Sequence, residues 1–148
     1  MVNPVPEVVE RYLCHQHVLT LSGMDHEGIW AASCFYVWHS LWGGFIVLSS
    51  EKTRHGAQLA CYGQFAGTVC EQTKEIVHIQ GIQYQGECVP LNDEQEKEAR
   101  SLYYQHFPIA RAKPSAIWFV RADLIKMTNN RLGFGHKLIW ERSETCEK

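Results

Sequence analysis

No stretch of the chain reaches the roughly 18 consecutive apolar residues that a membrane-spanning helix needs. The opening MVNPVPEVVERY lacks a basic segment followed by an apolar one, so no secretory signal is visible. None of the six cysteines (Cys14, Cys34, Cys61, Cys70, Cys88 and Cys146) forms a C-x-x-C pair. A zinc ribbon or thioredoxin-type motif is therefore unsupported. These absences point to a cytoplasmic chain with reduced thiols, most of them expected to serve as small core residues. Neither charge dominates: 14 basic residues face 16 acidic ones, for a formal net charge of −2. That balance gives no general pull toward nucleic acid or anionic membrane. The chain has no glycine-rich dinucleotide loop, Walker A loop, G-x-S-x-G elbow or H-E-x-x-H helix. Glu27, Glu87 and Asp123 stand apart from one another, with no paired carboxylate.

What is present suits one compact unit. A chain of 148 residues with 45% hydrophobic and 20% charged residues is globular in composition, and one domain over 1–148 is expected. Asn3 and Pro4 predict a helix start, with Val8, Val9, Tyr12 and Leu13 on one face of a helix reaching about Gln16. Strands are expected at His17–Leu21 and Ile29–Trp38, joined by a loop of several residues around Asp25-His26-Glu27-Gly28. The apolar run Phe45–Leu48 reads as a strand buried on both faces. Further strands are expected over Tyr62–Val69 and Glu75–Val89. The apolar phase of the second switches at Gly81, which predicts a β-bulge there. Asn92 and Gln95 form a capping box for a helix with the stripe Ala99, Leu102, Tyr103 and Phe107, ended by Pro108. Ala116–Arg121 and Leu138–Glu141 complete the strands, with Asp123–Met127 between them as a connection. Many short strands with glycine-rich turns and marginal helices point to a barrel or sandwich.

Four segments carry candidate chemistry. In LSSEKTRHGAQL, the hydroxyls of Ser49, Ser50 and Thr53 stand beside Lys52, Arg54 and His55. Hydroxyl donors, backbone amides and a guanidinium fork are what a phosphate needs; a solvated turn capped by Thr53 is the plainer alternative. RLGFGHKLIWER places His136, Lys137, Trp140 and Arg142 near two glycines. It reads either as an aromatic-anchored surface hairpin or as an arm over a ligand. Cys34-Phe35-Tyr36-Val37-Trp38 is either core packing or the lining of a flat ring. Cys14-His15-Gln16-His17 has metal-ligand residue types, but nothing else in the sequence completes four ligands, and no metal is expected.

The S-S-x-K-T-R-H stretch, the strand I-x-G-I-Q-Y-Q-G-E, the helix end Phe107-Pro108-Ile109-Ala110-Arg111 and the closing L-G-F-G-H-K-L-I-W resemble one group over residues 10–142. It is the bacterial YhbP type, within the pyridoxamine 5'-phosphate oxidase-like FMN-binding split barrels. The resemblance implies a mainly β (α+β) fold, a six-stranded antiparallel Greek-key split β-barrel with peripheral helices. It also implies a homodimer with two equivalent FMN sites at the subunit interface. Carried over, Ser49, Ser50, Lys52, Thr53, Arg54 and His55 hold the FMN phosphate. Ser33, Cys34, Phe35 and Tyr36 present backbone and aromatic groups to the isoalloxazine. Lys137 and Trp140 of the other subunit complete the site. The family often has lysine where this chain has His55. That departure weakens the phosphate grip above pH 7, where histidine is mostly neutral, and Lys52 compensates.

The resemblance implies an FMN-dependent oxidoreductase, with the flavin supplying the redox chemistry. No pyridoxal-phosphate anchor beyond the flavin site is recognisable, which argues against oxidase activity on vitamin B6. The alternatives are a non-catalytic flavin or haem binding module, with His15, His17 or His136 as axial ligand, and a split-barrel scaffold without cofactor. The substrate and electron donor are not written in the sequence.

Overall fold

The computed structural model describes residues 2–144; Cys146 lies outside them. Three helices and seven strands follow one another as α1 (Glu7–His15), β1 (Val18–Asp25), β2 (Gly28–His39), β3 (Gly44–Leu48), α2 (Arg54–Ala60), β4 (Gln64–Cys70), β5 (Gln80–Val89), α3 (Asp93–His106), β6 (Ile117–Asn129) and β7 (Lys137–Glu141). The strand order is β3-β2-β1-β4-β5-β6-β7, with a further β3–β6 pairing. That extra ladder closes six antiparallel strands into a barrel, and β7 is appended outside the ring. The β4-β1-β2-β3 neighbourhood is the Greek-key order that the family resemblance implies.

Closure rests on β6. Its first half pairs with β3, Gly44↔Arg121 through Leu48↔Ile117. Its second half pairs with β7, Leu124↔Glu141 through Thr128↔Lys137. Asp123–Met127 is therefore strand rather than connection. The sequence hides this because alternation slips where β5 and β6 change register at Gln85/Gly86. The expected bulge at Gly81 is thus displaced. A Cβ on Gly86 would lie 1.9 Å from the Arg121 carbonyl oxygen, whereas one on Gly81 would make only ordinary contacts. The phase switch near Gly81 has a different cause: Ile76–His78 is a 3₁₀ turn, and β5 begins only at Gln80.

Inward side chains alternate along the strands, with Leu19, Leu21, Tyr36, Trp38, Phe45, Val47, Phe65, Ile82, Tyr84, Val120 and Ile125 in one core. Helix α1 plugs one end with Val9, Tyr12 and Leu13. The Tyr36 hydroxyl donates to the Leu13 carbonyl at 2.7 Å. Helix α3, opened by the Asn92/Gln95 capping box, covers the outer face of β2, β3 and β6. There Ala99 and Tyr103 meet Val37, Ile46, Ile117 and Phe119. Two local expectations change. Helix α1 starts after Pro6 with no side-chain cap, because the Asn3 amide is bound instead to Glu141 O and Ser143 N. The β1–β2 connection is a tight two-residue turn, with Asp25 facing Gly28.

The cysteines are less buried than expected. Of the five described, only Cys88 is buried, Cys34 is half-buried, and Cys14, Cys61 and Cys70 are exposed; all five are free thiols. Burial pushes the thiols of Cys34 and Cys88 up, which keeps them protonated. No described helix is long and apolar enough to cross a membrane.

The C-terminal segment staples the β2–β3 turn. The Arg142 guanidinium donates to Trp42 O (2.8 Å), Gly43 O (2.7 Å) and Ala122 O (2.8 Å). Arg142→Met keeps the apolar stem but takes the guanidinium from three carbonyls; Gly43 O keeps the Ala122 N–H at 3.0 Å, so the loss falls on Trp42 O and Ala122 O. Orphaned partly buried polar groups cost about 1–3 kcal/mol each, less where water reaches them, so a net loss of about 2–3 kcal/mol is expected. The check is a urea midpoint that falls at unchanged m-value; an unchanged midpoint would refute the staple.

Candidate functional site

The strand β3 ends where three predicted residues converge. Ser49 Oγ lies 2.7 Å from His55 Nε2 and 3.4 Å from Thr53 Oγ1, and Thr53 Oγ1 lies 3.5 Å from the same imidazole nitrogen. Ser49 is held by its backbone: its N–H donates to Ala116 O at 2.9 Å, and its carbonyl accepts from the buried Trp118 indole at 2.9 Å. Gly56 lets the turn close. A Cβ there would sit 1.9 Å from the Ser50 carbonyl oxygen, so only glycine fits without moving the turn.

The hydroxyls of this turn differ in what they have left to give. Thr53 donates its proton to Ser50 O (2.8 Å) and accepts from Gly56 N (3.0 Å). It is the cap of α2, and its hydroxyl proton is spent. Ser50 Oγ accepts from Lys52 N at 3.2 Å and keeps its own proton. Lys52 is exposed and makes no ion pair among the described residues. Ser50 Oγ and Lys52 thus keep uncommitted donors among the described residues, while Ser49 and His55 are engaged with each other. Burial lowers the His55 pKa, so the imidazole is biased toward its neutral form.

Arg54 is turned elsewhere. Its Nε donates to Asp25 Oδ2 at 2.9 Å and its Nη2 to Asp25 Oδ1 at 3.0 Å. Glu27 stands 3.8 Å from Nη1, and the guanidinium lies 4.6 Å from the Trp30 ring centroid. This bidentate pair holds the Asp25 carboxyl well below the usual carboxylate range and raises the Arg54 pKa further. Arg54, Ala57 and Gln58 of α2, with Cys61 just beyond its end, line a cavity of about 430 Å³ together with Met24 and Asp25. Adjacency in sequence suggested that Arg54 and His55 share a ligand. A helix turns by about 100° per residue, and here it sends the two to different neighbours.

The other predicted residues are split by strand alternation. Ser33 and Phe35 point outward from β2, Phe35 at 55% exposure. Cys34 and Tyr36 point inward, and Tyr36 is 1% exposed. Only Ser33, Phe35 and backbone are therefore open to a ring ligand. Trp140 is 5% exposed, packed in the barrel core, and its indole N–H has no partner among the described residues. Lys137 is exposed. Both belong to the far half of β6: Trp140 faces Ile125, whereas Ser49 bonds to Ala116. The two attachment points, Ala116 and Ile125, lie nine residues apart along the chain.

Tyr62 and His106 escaped the sequence, whereas His15 and His17 were named from it as candidate axial ligands. Tyr62 adopts φ 51°, rare for a bulky residue. It is 44% exposed, with its ring 6.3 Å from that of Trp118, the residue that holds Ser49. His15, His17 and His106 line one cavity of about 300 Å³. No group of three metal-binding side chains is poised for an ion among the described residues.

No family model matches the chain. A UPF0306 protein of Photorhabdus laumondii is 40% identical over 136 residues, covering 92% of this chain and 95% of the relative. The UPF0306 protein YhbP of Escherichia fergusonii is 39% identical over 140 residues, covering 95% of each. The chain belongs to the UPF0306 family, YhbP and its relatives. Among solved structures, a haem-binding protein from Mycobacterium smegmatis superposes with a TM-score of 0.74 at 19% identity, over 93% of this chain and 59% of that one. An FAD-binding protein from Mesorhizobium loti gives 0.66 at 9% identity, over 86% and 96%. HutZ, the haem storage protein from Vibrio cholerae, gives 0.64 at 13%, over 95% and 96%. At these identities the likeness establishes the split-barrel fold, and this UPF0306 member shares it.

The Ser49–His55 contact has a spectroscopic consequence. The His55 imidazole should titrate by NMR below the 6.5 of an unperturbed histidine, and Ser49→Ala, by opening the site to water, should bring it back toward that value. A midpoint at or above 6.5 in the wild type would show that the ring is solvated rather than packed.

Proposed function

We propose that this UPF0306 protein binds FMN and works as a homodimeric, flavin-dependent oxidoreductase. The observation that carries the reading is the Ser49 Oγ–His55 Nε2 contact of 2.7 Å, at a strand end where Ser50 and Lys52 add donors. These groups suit a phosphate monoester: two hydroxyls, an ammonium and an imidazole, with no carboxylate bonded among them. Ser33 and Phe35, on the neighbouring strand, are available to the ring. The bound flavin would supply the electron or hydride transfer. The protein's part is to hold the phosphate and to cover the ring. The FAD-binding neighbour on the same fold favours a flavin.

The imidazole makes binding pH-dependent. With His55 neutral, the Ser49 hydroxyl proton and the imidazole nitrogen satisfy each other. With His55 protonated, Nε2–H donates to Ser49 Oγ and the serine proton turns toward the anion. A bound dianion raises the His55 pKa from its lowered free-state value. By linkage, affinity falls as pH rises from the free-state pKa through the bound-state pKa. Below about pH 6 the phosphate's own protonation opposes this. FMN affinity, followed by fluorescence quenching, should therefore peak near pH 6 and decline by pH 8, and His55→Lys should flatten the decline. A flat wild-type profile from pH 6 to 8.5 would remove His55 from the site.

The homodimer reading rests on an uncovered face. Outward side chains between Val18 and Met24, Ile29 and Phe35, Gln64 and Cys70, and Gln83 and Glu87 are uncharged except for Glu87. Val18, Met24, Ile29 and Phe35 are all exposed there. Monomers rarely leave so large an uncharged, part-apolar face to water. A second copy laid on it would cover Phe35 and the ring site, and would bring in the partner's Lys137, while Trp140 stays in its own core. Sedimentation at micromolar concentration should give twice the 17.0 kDa chain mass; a monomer would overturn the dimer.

Haem is the second reading, favoured by the three histidines of one cavity. His106 Nδ1–H donates to Leu102 O at 3.1 Å, which leaves its Nε2 lone pair to face outward when the ring is neutral. Haemin titration distinguishes the two: a Soret shift lost in His106→Ala supports haem, and flavin fluorescence quenching lost in His55→Ala supports FMN.

A further inference from the structure

We infer that Asp25 is a positioning residue for the anion site: acting through Arg54, it fixes the start of α2 and so the place of His55 against Ser49. The inference rests on the phosphate reading of that site.

The Asp25 carboxylate ends β1 and accepts four hydrogen bonds. Oδ2 takes Arg54 Nε (2.9 Å) and Gln58 Nε2 (2.8 Å); Oδ1 takes Arg54 Nη2 (3.0 Å) and the Glu27 backbone N–H (2.9 Å). A carboxylate offers about four lone-pair sites, so none is left over. Two of its partners, Arg54 and Gln58, sit one turn apart on α2, and Glu27 belongs to the β1–β2 turn. One side chain thus ties a seven-residue helix to the hairpin beside it. Such a helix does not hold itself in water, since isolated helices shorter than about 12–15 residues are marginal. Its buried residues are few: Gly56, Gln58 and Leu59. The fastening at its first turn therefore comes from outside, from Asp25 on Arg54 and from the Trp30 ring beneath the guanidinium.

His55 follows Arg54 directly and is bound on another side, to Ser49. The two fastenings hold the first turn of α2 between the hairpin and the end of β3. Released on the Arg54 side, the turn is free to rotate, and His55 loses its register with Ser49. Arg54 could instead meet the phosphate itself, with Asp25 as a competing anion. The geometry speaks against that: Nε and Nη2 are committed to Asp25, and Glu27 stands near Nη1.

The two roles give opposite signs in Asp25→Asn, which keeps the side-chain size and removes the charge. The experiment compares FMN with riboflavin, which lacks the phosphate, and follows amide exchange at Gly56 and Ala57, whose N–H groups donate to Thr53. If Asp25 positions the site, Asp25→Asn weakens FMN binding by about tenfold, equivalent to 1.4 kcal/mol, and leaves riboflavin nearly unchanged. The two amides exchange faster, and Asp25→Glu recovers most of the FMN affinity. Tighter FMN binding in Asp25→Asn would overturn the inference and make Arg54 the ligand. Equal losses for both flavins would overturn it as well, by showing a general loss of structure. Should the wild type take up neither flavin, the FMN reading fails by itself. The fastening is then decided by exchange alone, and unchanged rates at Gly56 and Ala57 refute it.

Discussion

The ladder between β3 and β6 is the contact on which the rest of the molecule depends. Five residue pairs close the ring, and only because they close it does one interior exist for Phe45, Val47, Val120 and Tyr84 to share. Closure also removes two sheet edges that would otherwise expose unpaired backbone groups. It sets the place of Ser49 too. The last β3 residue is tied to Ile117, and the next residue, Ser49, is carried by Ala116 O and the Trp118 indole. The candidate site is thus an extension of the barrel seam, and its serine inherits the rigidity of the ladder.

A long β6 makes this possible. One edge of it serves β3 and then β7, while the other runs along β5. The bulge at Gln85/Gly86 lets the strand bend between these tasks. The consequence for function is separation. The hydroxyl–imidazole cluster lies beside the start of β6, and the C-terminal strand pairs with its far half.

Around the site, neighbouring residues do different work. Arg54 is fixed to the hairpin, Thr53 is consumed as a cap, and His55 meets Ser49. The same short segment therefore holds both the ion pair to the hairpin and the hydroxyl–imidazole cluster. Charge alone would have ranked Arg54 first among the phosphate ligands. Hydrogen-bond accounting ranks it behind Ser49, Ser50, Lys52 and His55, because the donors of Nε and Nη2 are occupied by Asp25.

Much of the architecture could be read from residue order. The buried run Phe45–Leu48, the capping box at Asn92 and Gln95 and the stripe of α3 follow from local periodicity and capping, which depend on residues a few positions apart. The convergence of Ser49, Thr53 and His55 was legible for the same reason: they lie within seven positions of one another. What depends on pairing across the chain was not legible. The bulge was expected at Gly81 and lies where Gln85/Gly86 meet β6, with Asp123 as the extra residue on the other strand. Asp123–Met127 became strand because β5 and β7 flank it. Asp25 gave no sign of its bonds to Arg54 and Gln58, which are 29 and 33 positions away, and Trp140 was expected over a ligand yet fills the core. Composition and periodicity determined that this chain forms a barrel or sandwich of short strands with helices at its margins. Which of its polar groups remain free to act was decided only by the tertiary structure, because a donor's availability depends on partners that the fold, not the sequence order, brings to it.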